Sequence, residues 1–353
     1  VAVHAPTYVN KYDTTEDLKE GGTFLLNCPW TVEELDAHLP AKMKRDLARK
    51  HANFYIIDAA KLAVQVGLGE KRTNNILQAA FFALTKVIPL DMAVEDMKKN
   101  NYNSYFKKAG QKIVDLNDQA VDLGVSAAVK VEIPASWADA PDTPMAEPKN
   151  ASAFVRDIVL PMDRQQGDKL PVSVFQKHGV LDGTWENGTS AFSKRGVATK
   201  VPKWNAESCI QCNRCSMCCP HAAIRPVLLT EEEKAGAPES FVTVPAKGLG
   251  KDSPYSFRMQ VSPYDCLGCG VCLTACPAKG ALEMVPFETQ REQQPNFDNY
   301  AMNEKLLKKD IISDKSVKTA QFAKPYFQFS AACAGCAETT YIKLVTQLFG
   351  SRM

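Results

Sequence analysis

Apolar positions follow two different periods in the first 130 residues of the chain. Short apolar runs at residues 22–27 and 54–58 contain β-branched and aromatic side chains and predict buried strands, with a shorter strand at residues 1–3. Residues 74–87 instead place apolar side chains on one face at helical spacing, namely Ile76, Leu77, Ala80, Phe81 and Leu84. Because strands and helices alternate, residues 1–130 are predicted to form an α/β domain with a mostly parallel sheet.

Helix boundary signals refine this pattern. Thr31 followed by Glu34 is a capping box that opens a helix. That helix is expected to end near Pro40, where a second helix begins. Residues 92–123 are predicted to be largely helical, with Gly124 as the stop signal because glycine commonly follows the last helical residue.

A helix is also expected to follow the second apolar strand, from Ala59 onward. Gly67 and Gly69 come after this helix and could be mistaken for part of a dinucleotide-binding loop. They lack the third glycine of that motif and follow a helix rather than a strand. The two glycines are therefore predicted to mark the end of the helix.

The middle of the chain has a different composition. Four prolines among alanine and aspartate residues mark a linker, namely Pro134, Pro141, Pro144 and Pro148. Glycine-rich turns follow at Gly179, Gly183 and Gly188. Residues 131–205 are therefore predicted to be a loop-rich connector without a core of its own. Residues 291–328 are polar and loop-like, with a helix expected near 303–310.

Composition and charge narrow the class of protein. The chain has 353 residues, 45% hydrophobic and 23% charged, with a net charge of +2, which allows two or three globular domains. So small a charge gives no argument for binding nucleic acid or a membrane surface. No apolar run approaches the roughly 18 residues of a transmembrane helix, and the start lacks a signal peptide. The chain does not begin with Met, and both ends are expected to be cut from a longer protein.

Two near-identical cysteine runs carry the strongest chemical signal. Both follow the spacing C-x2-C-x2-C-x3-C-P, which is the bacterial ferredoxin run for a [4Fe–4S] cluster. The first run contains Cys209, Cys212, Cys215 and Cys219. The second run contains Cys266, Cys269, Cys272 and Cys276. Residues 206–290 are therefore predicted to form a ferredoxin domain of the bacterial type with two [4Fe–4S] clusters, and the stretch between the runs is interpreted as a surface insertion.

The fourth cysteine of each run is expected to ligate the other cluster, as in two-cluster ferredoxins. Cluster 1 is then held by Cys209, Cys212, Cys215 and Cys276. Cluster 2 is held by Cys266, Cys269, Cys272 and Cys219. Cys218 competes with its neighbour for this last position, but the x3 spacing and the following Pro220 favour Cys219.

Structural zinc and disulfides are the alternatives for these cysteines. Zinc sites usually use two separated pairs, and disulfides need an oxidising compartment. A third pair, Cys333 and Cys336, supplies only two ligands. The pair could be buried without metal, but two adjoining clusters favour a metal site whose other ligands come from elsewhere. Cys28 is predicted to be a core thiol.

The ordered set of motifs resembles the pyruvate:ferredoxin (flavodoxin) oxidoreductases, which are thiamine-diphosphate enzymes acting on 2-oxoacids. The matching stretches are residues 19–27, 53–58, 75–82, 194–196, 209–226, 266–277 and 333–336. Their order is that of the long single-polypeptide enzymes. The resemblance implies that residues 1–130 are the gamma-like domain near the coenzyme A site. It also implies that residues 291–353 contain a linker and the beginning of the thiamine-diphosphate-binding α/β domain.

The resemblance implies a function for the parent protein. Pyruvate would be oxidatively decarboxylated with coenzyme A to acetyl-CoA and CO2, and electrons would pass through [4Fe–4S] clusters to ferredoxin or flavodoxin. The other cofactors implied are thiamine diphosphate and Mg2+. Cys333 and Cys336 would be half the ligands of a third cluster, and Glu338 would approach thiamine diphosphate or serve as a solvated or capping residue. A homodimer in the cytoplasm is implied, with a hydrogenosome or other anaerobic organelle as the alternative.

Some residues depart from the family pattern, and other functions stay open. Ala331 and Ala337 stand where glycine is usual, Thr340 replaces a proline, and Cys218 is an extra cysteine. The piece should not decarboxylate pyruvate alone, because the pyruvate- and diphosphate-binding segments are missing. The alternatives are a stand-alone iron–sulfur subunit of another oxidoreductase, an enzyme for a different 2-oxoacid, and a zinc-stabilised binding module.

Overall fold

The computed structural model describes residues 1–142, 148, 150–249, 252–308 and 316–352. Contacts divide the chain into two compact units, Val1–Glu147 and Pro148–Met353, and each is described by itself. Pro144 of the predicted linker and the end of the helix expected near 303–310 lie outside the described residues. None of the helices in the described part of the chain has the length and apolar character that a membrane crossing needs.

The first unit is built on a four-stranded sheet in the order β1-β2-β3-β4. Its strands are β1 (Ala2–Val3), β2 (Thr23–Asn27), β3 (Asn53–Ile57) and β4 (Val129–Val131). The first three strands are parallel, as the sequence pattern predicts, whereas β4 runs antiparallel to β3 with Val131 opposite Phe54. This strand lies across the domain boundary expected at residue 130.

Six α-helices cover this sheet in the described part of the first unit. They are α1 (Leu35–His38), α2 (Ala41–Arg49), α3 (Ala59–Gln65), α4 (Asn74–Thr85), α5 (Leu90–Ala109) and α6 (Gln111–Ser126). The helix starts expected after Pro40 and at Ala59 are confirmed. The backbone N–H of Thr31 donates to the Glu34 carboxylate at 2.9 Å, which is half of the predicted capping box. Cys28 is a buried core thiol, and burial raises its pKa to about 11.

Two details of the helix prediction are wrong. Phe81 is 39% exposed, because the buried face of α4 consists of Ile76, Leu77 and Ala80. Gly124 does not stop a helix, because α6 continues through it to Ser126. The break falls instead at Gly110, where φ is 78° and one helix gives way to the next.

Gly124 is needed because two helices approach closely at this position. A Cβ atom built there would lie 2.4 Å from the carbonyl oxygen of Ile76 and 2.9 Å from the Cβ of Ala79. Both distances are well inside van der Waals contact. α4 and α6 could accept a larger side chain only by moving apart.

Replacing Gly124 by alanine is therefore expected to destabilise the first unit. Overpacking costs about 1–3 kcal/mol and offsets the roughly 1 kcal/mol by which alanine favours a helix over glycine. Urea unfolding monitored by circular dichroism measures the change. The exposed Gln119→Ala on the same helix is the matched control and should stay within about 0.5 kcal/mol of the parent chain. Equal stability of the two variants would contradict the close packing.

The second unit contains two small antiparallel sheets in its described residues. β5 (Lys200–Trp204) pairs with β9 (Leu282–Pro286), and β8 (Ser256–Val261) lies between β6 (Ile224–Leu229) and β7 (Val244–Pro245). β6, β7 and β8 lie between the two cysteine runs, and all six residues of β6 are buried. The interpretation of this stretch as a surface insertion is therefore wrong.

The helices of the second unit are short except for the last. They are α7 (Leu160–Asp163), α8 (Val172–Lys177), α9 (Arg214–Met217), α10 (Val271–Ala275), α11 (Gln293–Asn296), α12 (Val317–Ala320) and α13 (Ala337–Phe349). Two single π-helical turns add to them, at Val155–Val159 and Phe297–Ala301.

The segment predicted as a connector has a small core of its own, so that part of the prediction is wrong. Its buried apolar residues are Ala151, Phe154, Val155, Ile158, Val159 and Leu160. Phe175 and Phe192, from the same segment, pack against them. A helical turn with apolar residues on adjacent positions can bury them all when a later part of the segment folds back over it. The many glycine turns hid this signal in the sequence.

Candidate functional site: two cavities lined by cysteines

The two cysteine runs adopt the same backbone path. The residues two and four positions after the first cysteine of each run have positive φ, with values of 59° at Gln211, 59° at Asn213, 64° at Gly268 and 78° at Gly270. α9 and α10 begin directly after these turns and carry the third cysteine of each run. Such a path wraps the three thiols of a run around one point.

The eight cysteines of the runs line two separate cavities in sets of four. The larger, with about 390 Å³ of open space including its mouth, is lined by Cys219, Cys266, Cys269 and Cys272. The smaller, with about 320 Å³, is lined by Cys209, Cys212, Cys215 and Cys276. Among the described residues no three His, Cys, Asp or Glu side chains converge as they would around a single metal ion.

Backbone amides point at the thiols from within the runs. The N–H groups of Gln211 and Gly268 donate to the Sγ atoms of Cys209 and Cys266, each at 3.4 Å. The N–H of Ala223 donates to the Sγ of Cys219, also at 3.4 Å. Hydrogen bonds to cluster sulfurs stabilise their negative charge and tune the reduction potential. The cavities therefore suit anionic sulfur ligands.

The first run achieves the left-handed turns without glycine. The side-chain amide of Gln211 donates to the carbonyl of Pro245 at 2.9 Å and accepts from the backbone N–H of Lys247 at 2.8 Å. Asn213 donates to the carbonyl of Lys318 at 2.9 Å. A non-glycine residue at positive φ costs about 1–2 kcal/mol, and these side-chain bonds help to offset that cost.

Burial favours the protonated form of three of these thiols. Desolvation raises the pKa of Cys266 to about 12 and raises the pKa of Cys215 and Cys272 further. Neighbouring thiols of the same cavity act in the same direction, with Cys219 acting on both Cys266 and Cys272. Metal binding must then displace these protons.

Cys218 lines neither cavity. Its thiol is half-buried and donates to the carbonyl of Cys215 at 3.5 Å and to that of Val271 at 3.8 Å. Burial raises its pKa to about 11. The side chain therefore fills the space between α9 and α10.

The third cysteine pair lies against the second run. Gly335, between Cys333 and Cys336, has a φ of 79°, and a Cβ built there would lie 3.6 Å from the Cβ of Cys269. Cys333 is exposed, whereas Cys336 is half-buried at the start of α13. A hydrogen bond from the backbone N–H of Thr339 lowers the pKa of the Cys336 thiol.

Two family departures in this loop carry no backbone strain. Within the described part of residues 329–341, positive φ occurs at Phe329 and Gly335. Ala331 and Ala337 therefore adopt conformations that any residue accepts. The side chain of Glu338 is exposed in the first turn of α13.

α13 turns a different face inward from the one its apolar pattern indicates. Four apolar residues of this helix are exposed, by 40%, 39%, 51% and 50% respectively: Ile342, Val345, Leu348 and Phe349. The buried positions are instead Thr339 and Lys343. In this chain the helix packs on the end of α9 through hydrogen bonds from Lys343 to backbone carbonyls, which an apolar pattern does not record.

Lys194 and Arg195 connect the parts of the second unit around the larger cavity, a role that motif spacing does not predict. Lys194 Nζ lies 2.8 Å from the buried carboxylate of Asp265, next to Cys266, and 3.0 Å from that of Asp298. Arg195 donates to the carbonyl of Phe329 at 3.1 Å, just before the third pair. The basic dipeptide thus ties the second run to the chain leading to Cys333.

Family models match most of the chain. Residues 208–281 match the 4Fe-4S dicluster domain, and residues 1–127 match the family described as pyruvate ferredoxin/flavodoxin oxidoreductase. Residues 140–198, which include the small core of the connector and Lys194, match a domain of unknown function termed EKR. The cysteine cavities and the matched dicluster domain thus define an iron–sulfur segment.

Sequence comparison with full-length proteins gives more detail. The chain is 50% identical to pyruvate-flavodoxin oxidoreductase from Enterobacter agglomerans over 98% of its own length and 29% of that protein. It is 47% identical to pyruvate:ferredoxin oxidoreductase from Moorella thermoacetica over all of its length and 30% of that protein. Mitochondrial pyruvate dehydrogenase [NADP(+)] from Euglena gracilis is 41% identical over 100% of the chain and 19% of that protein. The chain is thus similar along its whole length to pyruvate:ferredoxin and pyruvate-flavodoxin oxidoreductases, and it spans less than a third of these relatives.

Proposed function

We propose that this chain binds two [4Fe–4S] clusters in crossed cysteine sets. Cluster 1 takes Cys209, Cys212, Cys215 and Cys276, and cluster 2 takes Cys266, Cys269, Cys272 and Cys219. The single observation that carries the proposal is that each cavity is lined by three cysteines of one run and the fourth of the other. A bound cubane accepts and releases one electron at a time. Cysteine thiolates of the protein would hold the cubane. Backbone N–H groups would point at its sulfurs, and the surrounding residues would exclude water.

The parent protein is proposed to be a pyruvate:ferredoxin oxidoreductase. Pyruvate and coenzyme A would yield acetyl-CoA and CO2, and the two electrons would leave singly through the clusters to ferredoxin or flavodoxin. The names of the bacterial relatives support this acceptor class. Thiamine diphosphate and Mg2+ would bind outside this chain, with residues 291–353 leading into that domain and Glu338 near the cofactor. The α/β unit would contribute to coenzyme A recognition. The parent protein would be a homodimer.

The proposed compartment is a reducing one. All twelve cysteines are free of disulfides, and cluster proteins are assembled where thiols stay reduced. The cytoplasm is the proposed location, and an anaerobic organelle is the alternative. The mitochondrial relative from Euglena gracilis supports the alternative.

Activity of the longer protein separates this proposal from its alternatives. Purified anaerobically, the longer protein should reduce ferredoxin or flavodoxin only when pyruvate and coenzyme A are both present, with acetyl-CoA as product. A stand-alone electron-transfer subunit would show no such dependence. An enzyme for a different 2-oxoacid would prefer 2-oxobutyrate or 2-oxoglutarate to pyruvate. Either result would overturn the pyruvate assignment without affecting the cluster assignment.

Cys333 and Cys336 are proposed to hold a third cluster only in the longer protein. Two thiolates cannot satisfy a cubane that takes four cysteines. The contact of Gly335 with Cys269 supports a relay between this cluster and cluster 2. We expect about eight irons in this chain and about twelve in the longer protein, by four irons per cubane. Cys336→Ala in the longer protein should lower its iron to about eight, and equal iron in the two unaltered proteins would exclude the third cluster.

A further inference from the structure

Lys343 is a buried cation on α13. Its side chain is 1% exposed. Its Nζ donates to the backbone carbonyls of Met217 and Cys219, both at 2.9 Å, and to that of Ser216. All three carbonyls lie in the first cysteine run, at and beyond the end of α9. The lysine thus joins the helix that follows the third cysteine pair to the backbone beside Cys219.

The groups around Lys343 that can become negative are thiols. In the described part of the chain no carboxylate pairs with its ammonium. Burial lowers the pKa of Lys343 and Arg225 adds to this, whereas Cys219, Cys218 and Cys215 raise that pKa when they are thiolates. Burying an ammonium is costly unless a negative group compensates it. The thiolates around the larger cavity, to which Cys219 belongs, supply that negative charge when a cluster is bound.

Arg225 is a second buried cation near Cys219. Its guanidinium carbon lies 5.1 Å from the ring centroid of Phe297 and 5.2 Å from that of Phe329. It donates to the carbonyl of Ala222 at 2.8 Å. A negative charge on Cys219 raises the pKa of this guanidinium. Two desolvated cations therefore flank one cysteine of the larger cavity.

The remaining charges do not cancel this asymmetry. Asp265, beside the larger cavity, and the exposed Asp298 share Lys194 at 2.8 Å and 3.0 Å, so this group adds one negative charge, which water screens at Asp298. The run at the smaller cavity has Lys247, whose Nζ donates to the carbonyl of Cys209 at 3.3 Å. Lys247 is exposed, however, so water screens its charge. A third buried cation, Arg258, lies 5.8 Å from the ring centroid of Trp204 at the smaller cavity, but its pKa is lowered by burial alone, whereas Cys219 raises the pKa of both Lys343 and Arg225. The larger cavity, with two buried cations beside one cysteine, therefore has the stronger positive field.

We infer that Lys343 sets the electron order of the two clusters by raising the reduction potential of cluster 2 above that of cluster 1. The inference rests on the proposed cluster binding. Reduction adds one electron and makes or breaks no bond, so it adds one negative charge to the cavity. A fixed cation in a dry environment stabilises the reduced state more than the oxidised state. Electrons that arrive at either cluster then collect on cluster 2.

The inference is tested by anaerobic redox titration of the reconstituted chain, followed by electron paramagnetic resonance. In the unaltered chain two midpoint potentials are expected. Cys276→Ala, which removes a ligand of cluster 1 only, should retain the signal with the higher potential. This variant keeps Lys343, so it decides the order even if a lysine variant loads poorly. Retention of the lower potential would overturn the inference.

Lys343→Met removes the charge while keeping the length of the side chain. We expect the equilibrium constant for reduction of cluster 2 to fall at least tenfold, which is 59 mV for one electron, with a smaller change at cluster 1. Lys343→Arg should restore most of the potential. Gln347→Met is the control, because Gln347 also donates from α13 to a backbone carbonyl, at 3.1 Å to Ala323, but is neutral.

Three further outcomes count against the inference. An unchanged potential in Lys343→Met would overturn it, and so would an equal fall in Gln347→Met, because the effect would then come from helix packing rather than charge. Equal potentials of the two clusters in the unaltered chain would also overturn it. An unaltered chain without cluster signals would instead overturn the cluster binding itself, so the two failures are distinguishable.

Discussion

Cys276→Ala is expected to remove the four-iron form of cluster 1 and leave cluster 2 in place. The cavity that contains Cys276 is otherwise lined by Cys209, Cys212 and Cys215 of the other run. A cubane with three thiolates loses one iron or does not assemble. Iron per chain should therefore fall from about eight to between four and seven, by four irons per cubane. Paramagnetic resonance spectra of the reduced variant identify which cluster is left.

Cys218→Ala is the matched control for this experiment. Cys218 lies one residue before a ligand position but lines neither cavity. Its removal should leave the iron content unchanged and cost at most about 1 kcal/mol of stability through a small packing defect. Loss of cluster 2 in the Cys276 variant, with cluster 1 intact, would show that the fourth ligands are not crossed.

Gly268→Ala is the second substitution with a large expected effect. A Cβ at this position would lie 2.8 Å from the carbonyl oxygen of Lys200 and 3.2 Å from the Cβ of Ala198. The residue also has a φ of 64°, which alanine adopts at a cost of about 1–2 kcal/mol. The turn must therefore shift, and its N–H donates to the Sγ of Cys266. We expect cluster 2 to load poorly and to be lost faster in air.

Gly270→Ala provides the comparison, because Gly270 shares the positive φ but has nothing within 4 Å of a Cβ built on it. It should load cluster 2 nearly as well as the unaltered chain. The two variants are compared by their absorbance near 400 nm per chain during exposure to air. Equal cluster loss in both would mean that backbone strain rather than the Lys200 carbonyl limits this turn.

Much of the first unit could be predicted from apolar periodicity. The three parallel strands and the helix starts after Pro40 and at Ala59 follow from local sequence and are confirmed. The role of Gly124 could not be predicted, because glycine near a helix end is read as a stop. Its packing on Ile76 depends on a contact between helices distant in sequence. β4 could not be predicted either, because it is only three residues long. It forms a strand through its pairing with β3 rather than through a pattern in its own residues.

The candidate site was predictable where spacing alone determines chemistry. The C-x2-C-x2-C-x3-C-P runs indicated the cysteines that line each cavity, since that spacing reflects the turns a cluster requires. Lys343 was missed because a lysine in an amphipathic helix is usually solvated. Its burial arises from backbone carbonyls of α9, more than a hundred residues earlier. The strands between the runs were missed because the glutamates near residue 231 indicated an exposed segment.

Iron and acid-labile sulfide per chain test the central claim most directly. The chain is reconstituted anaerobically with iron and sulfide, desalted, and analysed for both elements together with protein concentration. Two cubanes predict about eight irons and about eight sulfides per chain. About four of each, with the four thiols of one cavity still open to alkylation, would contradict the account.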